Sequence, residues 1–163
     1  MIVQTPFPLR VVIVDDDKDA RDSLARVLKF TFNCEATPCN GGLSSVKAVW
    51  SNRPHLVFVD LGLPYMNGFL LLELLRQVDS QNALMVAVSP DDKRDRRGIQ
   101  TTRPFDHFEL KPLWLSRLRE LIEESRHRAV SVPYGLPPRE RRSLPLSLSY
   151  GGRPHDNPFQ HAR

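Results

Sequence analysis

The polar residues of this chain that could do chemistry together are an acidic run at residues 15–17, a single Asp60, Ser89 and Lys111. Each of them follows directly on, or ends, a short apolar segment. Carboxylates that are brought together repel one another, and a hard divalent cation with oxygen ligands relieves that repulsion. A carboxylate beside such a cation, faced by a lysine and a hydroxyl group, can attack a phosphoryl group and become an aspartyl phosphate. These residues therefore indicate phosphoryl chemistry with Mg²⁺.

Each residue type suits one part of that chemistry. Asp60 is the predicted nucleophile, because it ends an apolar run and precedes the turn-rich segment GLPYMNG, which leaves it accessible. Asp15 and Asp16 open a helical segment and are the predicted metal ligands together with Asp60. Lys111 would neutralise the oxygens of the transferred group, and Ser89 would donate a hydrogen bond to one of them.

Apolar runs of strand length alternate with segments of helical period, which predicts repeated βα units and a parallel sheet. In an open parallel sheet ligands bind beyond the carboxyl ends of the strands, so the polar residues are expected to meet in one crevice. Pro38 assigns its strand to an edge of the sheet, because proline cannot donate to neighbours on both sides. The predicted strands are Leu9 to Val14, Cys34 to Pro38, Leu56 to Val59, Ala83 to Ser89 and Phe105 to Leu110.

Four of the intervening segments carry an apolar stripe at helical spacing. The segment 91–100 has acids at its start and bases later, as the helix dipole favours, but only Ile99 as an apolar anchor. A loosely held fourth helix is predicted there. The stripes are Ala20, Leu24, Val27 and Leu28; Leu43, Val46 and Val49; Leu71, Leu74, Leu75 and Val78; and Leu115, Leu118, Leu121 and Ile122.

The composition, with 40% hydrophobic and 26% charged residues over 163 positions, excludes the disordered, collagenous and disulfide-rich classes. Cys34 and Cys39 are too few for a disulfide framework and lack the partners of a zinc site, which favours reduced thiols. His55 and His107 have no partners at the spacing of a metal site and are expected to be structural. No apolar stretch reaches the roughly 18 residues of a membrane span, and no signal-peptide pattern is present. A soluble, cytoplasmic protein is expected.

The net charge of +4 is concentrated in residues 129–163. These residues contain five arginines against Glu140 and Asp156, which leaves +3 there and +1 for residues 1–128. With six of the 14 prolines as well, they predict a basic, disordered tail behind a compact domain at 1–128. Because the tail is too short for a sequence-specific DNA-binding domain, nucleic-acid binding is not expected, although Arg139, Arg141 and Arg142 suit contact with phosphates.

The order and spacing of the polar residues resemble the receiver domain of two-component response regulators, over about residues 9–128. The resemblance implies an α/β flavodoxin-like fold, a doubly wound five-stranded parallel sheet of order 2-1-3-4-5 with helices on both faces. It implies that Asp60 accepts a phosphoryl group from a histidine kinase or a phosphotransfer protein, with Mg²⁺ held by the acids. The matching positions are Asp15-Asp16, Asp60 in DLGLPYMNG, Ser89 and Lys111-Pro112.

The resemblance also implies roles for residues around the acceptor. The backbone carbonyl of Gly62 would complete the metal shell. Ser89 and Lys111 would contact the phosphoryl group, and Ser89 with Phe108 would form the switch. The peptide bond before Pro112 would be cis.

The same resemblance implies a stand-alone receiver that is not an enzyme on other substrates and supports only its own phosphorylation and dephosphorylation. It would signal by contact of its fourth helix, fifth strand and fifth helix with a downstream protein. The stretch FDHFELKP looks most like receivers associated with hybrid histidine kinases.

One position departs from the family pattern. The residue after the switch Ser or Thr is usually small and donates its backbone N–H to a phosphoryl oxygen, whereas Pro90 has no N–H to donate. The loss of one charge-assisted hydrogen bond, about 1.5–3 kcal/mol, predicts a weakened phosphorylated state.

Two other functions fit part of the pattern. Pro90 and the sparse fourth helix favour an adaptor protein that has the receiver fold but no longer uses phosphate. A phosphatase of the haloacid dehalogenase type also attacks phosphate from a strand-end aspartate, and Asp15 and Asp17 have its D-x-D spacing. That family needs its nucleophile on the first strand, however, and Asp60 with Lys111 fits the receiver pattern better.

Overall fold

The computed structural model describes residues 7–64, 66–79, 82–90 and 105–131. Strands and helices alternate in these ranges, as the apolar patterns predict. The elements in chain order are β1 (Leu9–Val14), α1 (Lys18–Phe32), β2 (Cys34–Cys39), α2 (Gly42–Asn52), β3 (Leu56–Asp60), α3 (Gly68–Val78), β4 (Leu84–Ser89), β5 (His107–Leu110) and α4 (Leu115–Ser131).

The five strands form one parallel sheet in the order β2-β1-β3-β4-β5. This confirms the predicted fold and strand order. Pro38 lies in β2, at the edge of the sheet and opposite Ile13 of β1. Since β2 has a neighbour on one side only, the missing N–H of Pro38 does not interrupt a second ladder.

Helices cover both faces of the sheet, and each face has its own apolar core. On one face, side chains of α2 and α3 such as Val49 and Leu75 pack over β1, β3 and β4. On the other face, Leu28 of α1 and Leu121 of α4 pack over the opposite sides of the same strands. The central strand β3 is buried at every position, which explains the continuous apolar run that precedes Asp60.

Local sequence sets the helix ends that matter for the carboxyl edge of the sheet. The side chain of Asp17 caps α1 by accepting from the backbone N–H groups of Asp19 and Ala20. Asn67 caps α3 in the same way by accepting from Phe69. A Cβ atom on Gly68 would lie 2.8 Å from the Cα of Leu61, so glycine allows α3 to start close to the loop that follows β3.

Three predicted stripe residues, Ala20, Leu43 and Leu115, are exposed rather than buried. All three lie in the first turn of a helix. Because each helix starts beyond the carboxyl edge of the sheet, its first turn has less sheet beneath it to cover.

The strand β5 begins two residues later than predicted. The carboxylate of Asp106 accepts the backbone N–H of Met85 at 2.8 Å, a bond that a strand carbonyl would otherwise make. The ladder with β4 therefore starts at His107.

Helix α4 corresponds to the predicted fifth helix and continues past residue 128 to Ser131. The predicted fourth helix at 91–100 and residues 132–163 of the predicted tail lie outside the described residues. Within the described ranges, no helix has the length and apolar character needed to cross a membrane. Cys34 and Cys39 are buried and free, and burial raises the pKa of both thiols, that of Cys39 to about 11.

Candidate functional site

The carboxyl ends of four neighbouring strands bring the predicted site residues together. Asp15 follows β1, Asp60 ends β3, Ser89 ends β4 and Lys111 follows β5. The register continues this alignment, with Asp60 beside Val88 and Ser89 beside Leu110. Asp15, Asp60 and Ser89 are all buried. Residues far apart in the sequence thus share one crevice because the parallel strands all end at the same edge.

Asp15, Asp16 and Asp60 form an acidic cluster, with one carboxylate oxygen of each within 4.8 Å of the others. Asp16 is exposed, whereas Asp15 and Asp60 are buried. Carboxylate oxygens at this spacing are the ligand set that a hard cation such as Mg²⁺ prefers. The donor set therefore fits Mg²⁺.

Lys111 bridges the two buried acids. Its Nζ donates hydrogen bonds to Asp15 Oδ2 at 2.8 Å and to Asp60 Oδ2 at 2.6 Å. Burial would lower the pKa of Lys111, but the hydrogen bonds and negative charges of Asp15 and Asp60 outweigh it, so the pKa lies above its ordinary value. The lysine therefore stays protonated at neutral pH and offsets the repulsion between the carboxylates.

Backbone N–H groups hold the other oxygen of each buried acid. Gly62 donates to Asp60 Oδ1 at 2.7 Å, and Asp17 donates to Asp15 Oδ1 at 2.9 Å. A Cβ atom at Gly62 would lie 3.1 Å from Asp60 Oδ1, so a side chain there would crowd the carboxylate. Both buried carboxylates are thus fixed at each of their oxygens.

The predicted switch consists of Ser89 and Phe108, and Pro90 is the position that departs from the family pattern. The backbone carbonyl of Ser89 accepts the backbone N–H of Lys111 at 2.8 Å, which ties the ends of β4 and β5 together. Pro90 follows it and is exposed. Phe108 is half-buried on β5, with its ring centroid 6.3 Å from that of Phe105. The peptide bond between Lys111 and Pro112 is cis.

A cavity of about 580 Å³ opens beside the acidic cluster, between α1 and the segment that leads into α4. Its lining is mainly apolar, and it includes Leu24, Val27 and Leu118. Asp60, Lys111 and Pro90 also border it. The site therefore has open space next to the acceptor carboxylate.

Sequence reasoning missed one residue that contacts the acidic cluster. Arg21 Nη1 donates a hydrogen bond of 2.6 Å to the backbone carbonyl of Asp15. The sequence does indicate such a contact, because a cation near the start of a helix opposes the helix dipole. A residue of this kind is therefore expected to have a compensating partner.

Comparison with known proteins matches most of this fold to one family. The family model described as response regulator receiver domain matches residues 11–123. The chain is 28% identical over 124 residues to the response regulator MprA of Mycobacterium sp. (strain KMS), covering 73% of this chain and 53% of that protein. It is 28% identical over 130 residues to the two-component response regulator ARR11 of Arabidopsis thaliana, covering 75% of this chain and 25% of that protein. The chain thus spans about half, or less, of the length of these curated relatives.

Solved structures show the same fold at low sequence identity. A CheY-like response regulator receiver domain from Methanospirillum hungatei JF-1 has a TM-score of 0.64 and 22% identity, covering 74% of this chain and 98% of that one. A response regulator receiver domain protein from Clostridium thermocellum has a TM-score of 0.67 and 12% identity, covering 77% of this chain and 99% of that one.

Proposed function

Because the chain belongs to the response regulator receiver domain family of two-component systems, we propose that it accepts a phosphoryl group on Asp60. The donor is a histidine kinase or a phosphotransfer protein. The observation that carries the proposal is the bridge from Lys111 Nζ to Asp15 and Asp60 at 2.8 and 2.6 Å. It holds two buried carboxylates and a cation together at one edge of the sheet.

In our proposal the phosphoryl group is transferred directly and in line. An oxygen of Asp60 forms the new bond to phosphorus while the bond from phosphorus to the donor histidine nitrogen breaks. Lys111 keeps its proton and faces the negative charge of the transferred group. Gly62 N–H, at 2.7 Å from Asp60 Oδ1, keeps the carboxylate oriented during the approach.

Receiver domains generally bind Mg²⁺ at an acidic pocket, and this chain has such a pocket. In our proposal Asp15, Asp16, Asp60 and the backbone carbonyl of Gly62 hold the ion. When bound, Mg²⁺ neutralises phosphoryl oxygens and so lowers the electrostatic barrier to attack by a carboxylate. Ser89 donates a hydrogen bond from its hydroxyl group to the transferred group.

The proposed output is contact with a downstream protein. Phosphorylation draws Ser89 inward and allows Phe108 to fill the space behind it, which shifts the population of two surface conformations. Among the described residues, the surface that changes consists of β5 and α4. Support comes from the position of Phe108, which is on β5 but only half-buried, beside the core around Phe105.

We further propose that the chain is not an enzyme on other substrates and acts in the cytoplasm. The two free, buried thiols of Cys34 and Cys39 suit a reducing compartment. We do not expect the chain to bind nucleic acid directly, since the described residues form the receiver fold alone.

Intact-protein mass after incubation with acetyl phosphate tests the proposal. We expect one phosphoryl adduct on the wild type in Mg²⁺ and none in excess EDTA. Asp60→Ala should remove the adduct completely. Asp19→Ala removes an exposed carboxylate from the first turn of α1 and is the matched control that keeps it.

Failure to form any adduct would contradict the proposal. If beryllofluoride, a phosphoryl mimic, then also left the amide NMR spectrum unchanged, the phosphate-independent adaptor would become the better explanation. An adduct that survived Asp60→Ala would instead place the acceptor elsewhere.

A further inference from the structure

Arg21 lies beside the acidic cluster in a position that helix electrostatics does not explain. It is the fourth residue of α1 and is half-buried. A positive charge so close to a helix start is unfavourable. Its guanidinium group nevertheless makes a 2.6 Å hydrogen bond to the Asp15 carbonyl, so the side chain is directed back toward the end of β1.

The other polar atoms of Asp15 are held by residues from three separate parts of the chain. Its backbone N–H donates to the carbonyl of Cys39 at 3.1 Å. Its two carboxylate oxygens accept from Asp17 N–H at 2.9 Å and from Lys111 Nζ at 2.8 Å. The contact with Arg21 adds a hold on the carbonyl oxygen, the remaining polar atom of this residue.

That carbonyl belongs to the peptide plane that joins Asp15 to Asp16. Rotation of this plane changes ψ of Asp15 and φ of Asp16 together, and it therefore moves the two carboxylates relative to each other. Asp16 is exposed, so its position depends strongly on the backbone that carries it. A fixed plane keeps the acidic cluster ready for a cation.

We propose that Arg21 is a positioning residue for the divalent cation, because its hydrogen bond to the Asp15 carbonyl sets the spacing of the Asp15 and Asp16 carboxylates. The inference rests on the proposed Mg²⁺ site and adds to it a residue that is not a ligand. Groups that orient metal ligands from outside the coordination shell commonly change affinity when they are removed.

The charge of Arg21 acts in the opposite direction. A cation beside a metal site repels the metal, so its removal alone would tighten binding. Loss of positioning would weaken binding. The sign of the change in Mg²⁺ affinity therefore separates the two effects.

The experiment is a Mg²⁺ titration of the full chain, followed by the amide NMR signals of residues 15–17 and 62. We expect Arg21→Ala to raise the Mg²⁺ Kd about tenfold. Arg21→Lys keeps the charge but not the guanidinium geometry, and we expect a smaller loss, on the order of threefold. Arg26→Ala removes an exposed arginine from the same helix and should leave the Kd unchanged.

A second readout separates positioning from a general loss of structure. With acetyl phosphate, Arg21→Ala should need about tenfold more Mg²⁺ for the half-maximal rate of adduct formation but should reach nearly the wild-type rate at saturating Mg²⁺. Urea unfolding of each variant identifies one that has lost its fold, in which case Arg21→Lys provides the test.

An unchanged or lower Kd in Arg21→Ala, with wild-type binding intact, would overturn the inference while leaving the proposed function in place. A wild type that binds no Mg²⁺ and forms no adduct would overturn both. The two failures are therefore distinguishable.

Discussion

His55 and Asp60 lie at the two ends of β3 and are equally buried, at 6% exposure each, but their side chains have different kinds of partner. Asp60 is paired with a lysine and borders an open cavity. His55 accepts the backbone N–H of Arg10 at 3.0 Å and is stacked under Phe7, with ring centroids 5.5 Å apart. The carboxyl end of β3 thus carries a carboxylate in an ion pair, whereas its amino end carries a neutral imidazole ring.

The difference is one of partners rather than of burial. At the amino edge, uncharged groups satisfy the carbonyl of His55, which accepts from Leu84 N–H at 2.9 Å and from the hydroxyl group of Ser125 at 3.0 Å. At the carboxyl edge, the carboxylates of Asp15 and Asp60 accept from the charged side chain of Lys111 as well as from backbone N–H groups. Uncharged hydrogen bonds of this kind offer no charge to a ligand, whereas an ion pair can exchange one charged partner for another. A buried polar residue therefore becomes a candidate site when its partners are exchangeable.

Replacement of Lys111 by methionine should break the carboxyl edge most severely. It removes the cation that faces both Asp15 and Asp60, and the transferred group then meets two buried acids without it. We expect adduct formation from acetyl phosphate to slow about 100-fold, since one lost electrostatic contact of this kind typically has that effect. The rate of mass increase measures it. Arg117→Met, which removes a cation from the first turn of α4, is the control, and an equal loss there would refute the assignment.

At the amino edge, acidification rather than the loss of a cation should destabilise the fold. Burial, and next the charge of Arg10, lower the pKa of His55 from 6.5 to about 4. Above pH 6.5 the ring is neutral in both states; below it the unfolded chain binds a proton that the folded chain refuses until about pH 4. The free energy of unfolding should therefore fall by about 3 kcal/mol from this residue between those two pH values.

Urea unfolding at several pH values, with His55→Gln as the comparison, measures the part of this loss in the free energy of unfolding that comes from His55. The variant should be less stable at neutral pH but should lose less stability on acidification than the wild type. Parallel pH profiles for the two proteins would show that His55 is not the source.

Pro90 gives a smaller effect at the carboxyl edge. Pro90→Ala restores a backbone N–H beside Ser89, and a charge-assisted hydrogen bond of about 1.5–3 kcal/mol should stabilise the phosphorylated state. We expect a phosphoryl lifetime at least about tenfold longer, followed by the decay of the mass adduct after acetyl phosphate is removed. If the variant forms its adduct no faster and keeps it no longer, Pro90 is not a weakness of the switch.

Gly68→Ala should have the smallest effect, on stability. Its Cβ would lie 2.8 Å from the Cα of Leu61, so the start of α3 and the loop after Asp60 must shift apart. We expect a loss of about 1–3 kcal/mol in the free energy of unfolding. In contrast, a Cβ on Gly42 meets nothing within 4 Å but stands at φ +58°, so Gly42→Ala tests backbone strain without a clash. A Gly68→Ala protein as stable as the wild type would show that the loop yields freely.

Much of the carboxyl edge was predictable because its residues terminate apolar runs. Asp60, Ser89 and Lys111 each follow a strand-like segment, and a parallel sheet must bring such positions together. Pro38 placed β2 at an edge by the same kind of local reasoning. Periodicity could not reveal that the first turns of α1, α2 and α4 extend past the sheet, which left Ala20, Leu43 and Leu115 exposed.

The contacts that sequence reasoning could not supply join residues across the fold. The Nδ1 of His55 accepts the backbone N–H of Arg10, which is 45 positions away, and the local sequence pattern does not predict that contact. The bond from Arg21 to Asp15 spans only 6 positions, but it depends on the angle at which α1 leaves β1. The sequence can therefore predict the site residues at the ends of strands, whereas the structure is needed to identify the groups that orient them.

The bridge made by Lys111 has a consequence for the growing chain. During synthesis, Asp15 and Asp60 leave the ribosome well before Lys111, which stands 51 positions after Asp60. A nascent chain that has joined β1 to β3 already brings two carboxylates to neighbouring strand ends without their cation. Arrival of β5 and the lysine behind it removes that repulsion, so the last strand to be made both completes the sheet and releases the earlier strands from an electrostatic conflict.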